Sequence, residues 1–401
     1  MIPVEEALER ILAGLSPTGA ETVALAEGWG RILAHPVTAR LTQPPTDVSA
    51  MDGYAVRVED AGVGARLRVI GASPAGHPFS GRVGPGEAVR IFTGGALPAG
   101  ADTVLLQEDA AAEDGHVRPT EAPRPGRHIR RAGLDFATGD TLLPAGRRLT
   151  ARDIGLAAAA NHPWLQVHRR PRIGILATGD EISLPGDPIP PGGIVSSNAH
   201  ALAALVRAAG GEPLVLPIAA DDRDAIAGAA EAARRCDLLV TTGGASVGEH
   251  DLVQAALGPQ GFALDFWKIA MRPGKPLIWG DLRGTPLLGL PGNPVSALVC
   301  AVLFLIPATR RLSGLPAGPV ETRPALLGRE MPANDRRQDY VRAELSQDAA
   351  GALVATPFAV QDSSMLRTMA AAGALILRRP HAPAAPAGSA VEVVELSSLG
   401  V

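Results

Sequence analysis

Apolar residues at Val4, Ala7, Leu8, Ile11 and Leu12 recur at helical spacing, so the chain opens on an amphipathic helix. Residues 1 to about 40 then continue as loop and a short extended piece. From Leu41 to about Gly139 the period shortens, and the β-like runs RLRVIG, EAVRIF, DTVLLQED and HVRP sit between Gly/Pro turns. Helical spacing returns at Thr150–Ala160, with Thr150 placed to cap it. The two helical stretches are expected to pack together, which makes the β module an insertion. From Arg172 strand and helix patterns alternate: RIGILATG, NAHALAALVRAAG, GEPLVLPIAA, DRDAIAGAAEAARR, DLLVTTGG, GEHDLVQAAL, then FALDFWKIA, PLIWGDL, TPLLGLPG and the helix NPVSALVCAVLFLI. Such alternation predicts a doubly wound, mostly parallel α/β domain with ligands beyond the carboxyl ends of its strands. Short strands in DYVRAEL, ALVATPF, ALILRR and AVEVVEL predict a small β-barrel-like domain at the end. The expected domains are 1–40 with 140–168, 41–139, 169–316 and 317–401.

Length and composition narrow the class. A chain of 401 residues with 46% hydrophobic and 19% charged residues is multidomain and too apolar for disorder. Its net charge of −4, without a basic run, gives no electrostatic reason to bind nucleic acid or an anionic membrane. The longest apolar run, Val295 to Ile306, falls short of the ~20 residues that span a bilayer and predicts a buried helix. The acidic, amphipathic start is unlike a signal peptide. Two cysteines, Cys236 and Cys300, make neither a disulfide framework nor a thiolate metal site. A cytoplasmic enzyme is the expectation. The nine histidines show no metal-ligand spacing. Among 37 basic residues only Lys268 and Lys275 are lysine, and both fall in FWKIAMRPGKP. Lysine is a compact point charge that Arg does not replace at a fitted anion site, so this segment is a candidate anion site.

Four strand-end loops of the α/β region carry small or polar residues. They hold Asp180-Glu181, Ser196-Ser197-Asn198, the run from Gly243, Gly244 and Ser246 to Gly248 with Asp251 beyond it, and Pro291-Gly292-Asn293-Pro294. Each alone is open to a plain turn or a helix cap. Together they describe backbone N–H groups and helix N-termini aimed at a phosphate. Carboxylates beside a phosphate repel it by on the order of 4 kcal/mol at ~4 Å and an effective dielectric of ~20. A divalent cation removes that conflict, and Mg²⁺ is held by one or two carboxylates plus phosphate oxygens. The inserted module adds Asp47 to Ala55, Phe92 to Gly95 and Arg130 to Asp135, each readable as turn chemistry.

The strings SAMDGYAV, IFTGGALPAGADTVLLQED, ATGDEI, SSNAHAL, TTGGASVGEHD, FWKIAMRPGKP and GLPGNPVS stand in this order from residue 49 to residue 296. Together they resemble the MoeA family of molybdopterin molybdenumtransferases, which is similar to the E domain of gephyrin. The resemblance implies a Mg²⁺-dependent transferase that inserts molybdate into adenylylated molybdopterin and releases AMP. It also implies an elongated homodimer, with the cleft between the α/β domain of one subunit and N-terminal segments of the other. A molybdopterin adenylyltransferase and apo-molybdoenzymes are its implied protein partners. By motif, Asp52, Thr93, Asp135, Glu181, Asp251, Lys268 and Lys275 match catalytic positions. Ser196, Asn198, Gly243, Gly244, Ser246, Gly248, Arg272, Pro291, Gly292, Asn293, Pro294, Arg342 and Ser363 match substrate positions. Glu181, Asp251 and one of Asp221 and Asp222 match the Mg²⁺ ligands. One departure is Arg272, where the family commonly has Lys. Two other readings stay open: an adenylyltransferase, which would need only the α/β section, and a peptide-binding scaffold like gephyrin's domain.

Overall fold

The computed structural model describes residues 1–243 and 256–401. At its centre is a six-stranded sheet in the order Glu212–Val215, Arg172–Ala177, Leu238–Thr242, Thr285–Leu290, Ile278–Leu282 and Phe262–Trp267. The first four strands are parallel, Ile278–Leu282 runs against them, and the edge strand Phe262–Trp267 pairs antiparallel with it. The reversal has a local cause: Ile278–Leu282 and Thr285–Leu290 are joined by the two residues Arg283-Gly284, and so short a link allows only a hairpin. Side chains alternate between two cores. Ile173, Ile175, Leu238, Val240 and Leu288 enter one, while Leu176, Leu239 and Leu287 enter the other. Burial on both faces is why these strands read as unbroken apolar runs.

The helix Val4–Ala13 buries Val4, Ala7, Leu8 and Ile11, the stripe its periodicity predicts. It does not pack on the 151–159 helix. Its apolar stripe joins the larger core of the α/β layer, against the last two turns of the Pro294–Leu312 helix. Ile2 extends the attachment: its N–H donates to the carbonyl of Lys268 at 3.3 Å and its carbonyl accepts from Ala270 at 2.8 Å. What packs with 140–168 is the segment that follows. Ala20–Ala24 pairs antiparallel with Trp164–His168, over a core of Val23, Leu33, Leu143, Leu149 and Ala157. Thr150 caps the helix Ala151–Ala159 through a capping box with Asp153.

The Pro294–Leu312 helix is long and apolar enough to cross a membrane, but 89% of its apolar window is buried inside the protein, so it is a core helix. Residues Ala301–Leu305 form a π turn ahead of Pro307. Proline offers no N–H to the preceding turn, and the widened register carries the helix past it.

Between Leu41 and Gly139 lies a six-stranded sheet in the order Thr103–Leu106, Gly53–Val56, Glu87–Ile91, Leu67–Ser73, His116–Pro119 and Ala110–Glu113. Gly53–Val56, in a string open to a turn reading, is instead a buried interior strand. Gly53 is required there, because a Cβ would lie 2.0 Å from the Leu105 carbonyl oxygen. The C-terminal sheet closes on itself: Gln338–Gln347 pairs with both Leu353–Pro357 and Ala374–Arg378. Its interior is narrow, filled by Ala325, Ala343, Ala355, Ala374, Ile376 and Val393. One strand of this barrel comes from elsewhere in the chain, since Met271–Arg272 pairs in parallel with Gln338 and Asp339.

Candidate active site

Three of the four strand-end loops meet in one cavity of about 680 Å³, lined by Glu181, Ser196, Ser197, Asn198, Gly243 and Pro291 to Pro294. The fourth is the run beyond Gly243; Gly244, Ser246, Gly248 and Asp251 lie outside the described residues, as does nearly all of the helix expected after them. Helix Asn198–Ala208 and helix Pro294–Leu312 both begin at the cavity wall. Their dipoles favour an anion there.

Capping does not account for the polar residues at these helix starts. Ser197 and Asn293, the two N-cap residues, make no side-chain cap bond. The Asn198 amide instead donates to Thr242 Oγ1 at 2.9 Å and to the Gly292 carbonyl at 2.7 Å, tying three loops together. Its Oδ1 is buried without a partner among the described residues, an acceptor left for a donor. Asn293 donates to Ser363 Oγ at 3.0 Å, and Val295 N–H to the Ser363 carbonyl at 3.1 Å. The barrel's 361–365 loop is thereby docked on the helix start, and Ser364 reaches the cavity wall.

Arg342 holds that loop from beneath. Its guanidinium, 1% exposed, donates to the carbonyls of Asp362 at 2.9 Å and Met365 at 3.3 Å and to Gln361 Oε1 at 3.3 Å. Burial pushes its pKa down from the usual arginine value. Substitution Arg342→Ala removes these bonds and leaves a void where the guanidinium was buried, and is expected to cost roughly 2–4 kcal/mol. Urea denaturation measures this; an unchanged midpoint would show the loop is held by other means.

The acidic residues divide by role. Asp222 Oδ1 accepts from the N–H groups of Asp224 at 2.9 Å and Ala225 at 3.0 Å, so it caps the helix Arg223–Ala232. Asp221, half-buried, donates its N–H to Asp180 Oδ1 at 3.0 Å, which places it beside the Asp180-Glu181 strand end. Carboxylate oxygens are the ligands Mg²⁺ prefers. Among the described residues, however, no three His, Cys, Asp or Glu side chains form a metal-holding group.

The basic segment is anchored on both sides. Lys268 Nζ sits 3.3 Å over the Trp267 ring, and Lys275 is exposed beside Pro276, which lines the cavity. Arg272 is taken by the barrel: Nε donates to both oxygens of Asp339 at 3.0 Å, and its terminal nitrogens reach Asn334 Oδ1 at 3.3 Å and the Asp335 carboxylate at 3.6 Å. Burial raises the Asp339 carboxyl pKa, and Arg272 offsets part of that. Arg337 holds Asp335 at about 2. Sequence reasoning did not select Thr242, Pro276, Ser364 or Asp339. Thr242 could have been found from its position before Gly243, but nothing local marks Asp339.

Asp52, Thr93 and Asp135 lie away from this cavity. Asp52 Oδ1 accepts from Thr93 N–H at 2.7 Å and from Thr93 Oγ1 at 2.8 Å, and these bonds lower its pKa below the ordinary 3.8. Asp135 lines a second cavity of about 470 Å³ within the inserted module, beside Gly94 and Arg130. The two cavities share no lining residue.

Three family models account for most of the chain: the MoeA N-terminal region (domains I and II) at residues 2–161, a probable molybdopterin binding domain at 174–311 and the MoeA C-terminal region (domain IV) at 324–396. A Mycobacterium tuberculosis protein named molybdopterin molybdenumtransferase 2 is 36% identical over 388 residues, 94% of this chain and 95% of its own length. The chain belongs to the MoeA family. A Nostoc sp. molybdopterin molybdenumtransferase is 41% identical over 72% of this chain and 68% of its own length. A crystal structure of a molybdopterin biosynthesis MoeA protein from Pyrococcus horikoshii is similar throughout, with a TM-score of 0.88 at 30% identity over 98% of this chain and 99% of that one. The closed barrel and the mixed central sheet are therefore the MoeA architecture, and the 680 Å³ cavity lies at the carboxyl end of its parallel strands.

Proposed function

We propose that this chain inserts molybdate into adenylylated molybdopterin, cleaving the pyrophosphate bond and releasing AMP. The observation that carries the reading is the 680 Å³ cavity, where two helix starts and the Gly243 turn face Glu181. Backbone N–H groups there suit a pyrophosphate, and Asn198 ties the loops that carry them. Glu181 and Asp221, with Asp251 as the third member of the set, would hold Mg²⁺, and the ion would supply charge neutralisation between acid and phosphate. Lys275 and Lys268 bring positive charge toward molybdate, while Arg272, neutralised by Asp339, fixes the segment that carries them. Ser363 and Arg342 shape the barrel side.

The reading includes a homodimer in which Asp52, Thr93 and Asp135 of one subunit face the cavity of the other. The separation of the two cavities within one chain supports it. An ionised Asp52, held by Thr93, would then orient water or substrate. A cytoplasmic setting and contact with an adenylyltransferase and apo-molybdoenzymes belong to the same reading. The deciding experiment mixes purified chain, adenylylated molybdopterin and Mg²⁺ with and without molybdate and follows AMP. Release that requires molybdate is expected. Transfer of AMP from ATP onto plain molybdopterin, or tight peptide binding without any turnover, would replace this reading.

A further inference from the structure

A separate polar pocket, of about 130 Å³, lies where the 20–39 and 140–168 segments meet the α/β layer. It shares no lining residue with the 680 Å³ or the 470 Å³ cavity. Its wall carries five arginines, Arg31, Arg148, Arg169, Arg170 and Arg207, and no carboxylate. Two of them are already matched. Arg31, buried, pairs with Glu21 and donates to the His168 carbonyl at 2.9 Å. Arg169 forks onto Asp237, with bonds of 2.7 and 3.0 Å. Arg148, Arg170 and Arg207 are exposed and make no ion pair among the described residues. Trp29 stands at the rim, 69% exposed.

We propose that this pocket binds a phosphate-class oxyanion. Three unmatched guanidinium groups around one concavity repel one another unless an anion shares them. The planar fork of arginine matches the oxygens of a phosphate two at a time. The pocket's volume suits a single phosphoryl group, either free or at the end of an ester whose flat part lies against the Trp29 indole. Because Arg148 belongs to one side of the junction and Arg207 to the other, with Arg170 in the link between them, the anion also braces the two against each other.

Equilibrium dialysis of the full chain against labelled inorganic phosphate, at constant ionic strength set with KCl, tests this, with AMP as a competing arm. Expected is about one phosphate per chain whose affinity falls at least tenfold in the double variant Arg148→Ala, Arg207→Ala and persists in Glu181→Ala. Displacement by AMP would assign the site to a phosphate ester, and its failure to the free anion. Should the double variant not fold, Arg170→Gln, on an exposed side chain, must show the same direction of loss. Phosphate binding that ignores all three arginines, or no saturable phosphate binding at this ionic strength, would overturn the proposal.

Discussion

Replacing Glu181 with Ala is expected to lower molybdate-dependent AMP release by about 10²-fold or more while leaving the fold intact. Glu181 is exposed at the end of the Arg172–Ala177 strand, and its structural bond is made by backbone: its carbonyl accepts from Ile194 N–H at 2.8 Å. Alanine keeps that bond, and exposed substitutions usually stay within about 0.5 kcal/mol. What is lost is one fixed negative group at the cavity, and removing a single preorganised electrostatic group costs roughly 10²–10³ in rate. The paired measurement is AMP release and thermal midpoint on the same preparation. Unchanged release would take Glu181 out of the mechanism, and a large fall in midpoint would recast it as a structural residue.

Gly243→Ala acts through the backbone and should damage both stability and rate. Gly243 has φ of +98°, and a Cβ there would lie 2.2 Å from the Thr178 carbonyl oxygen. That oxygen belongs to the neighbouring parallel strand end, where Thr178 N–H also donates to the Thr242 carbonyl at 3.1 Å. Left-handed backbone costs a side-chain-bearing residue about 1–2 kcal/mol, and overpacking adds about 1–3 kcal/mol. Relief requires the 178 and 243 strand ends to part, and they carry Glu181 and the Gly-rich turn. A displacement of about 1 Å at such a site costs on the order of 10²-fold in rate. Urea denaturation and AMP release should therefore fall together. A variant with wild-type stability and turnover would mean the turn has room the geometry denies.

The contrast between Asp221 and Asp222 shows where local pattern stops. Two adjacent acids before RDAI are equivalent as letters, yet one caps a helix and the other sits beside Asp180, because the helix axis fixes which carboxylate meets its N-terminus. Arg272 teaches the same lesson at longer range. Its segment reads as an anion site, but the guanidinium is engaged by Asp339, 67 residues away. Only closure of the C-terminal barrel onto Met271–Arg272 brings that carboxylate within reach.

The sequence by itself determined what depends on neighbours along the chain. Unbroken apolar runs marked strands buried on both faces, helical spacing marked the first helix and the stripe it buries, and small residues after strands marked the loops that line the main cavity. The tertiary structure decided everything that requires distant segments to meet. It set the helix Val4–Ala13 on the α/β core, seated the Ser363 loop on the Pro294 helix start, and divided Asp52, Thr93 and Asp135 from Glu181 within one chain. The reason is physical: periodicity reports which face of an element is dry, but not which surface dries it, and a side chain's partner is chosen by packing geometry that no local window contains.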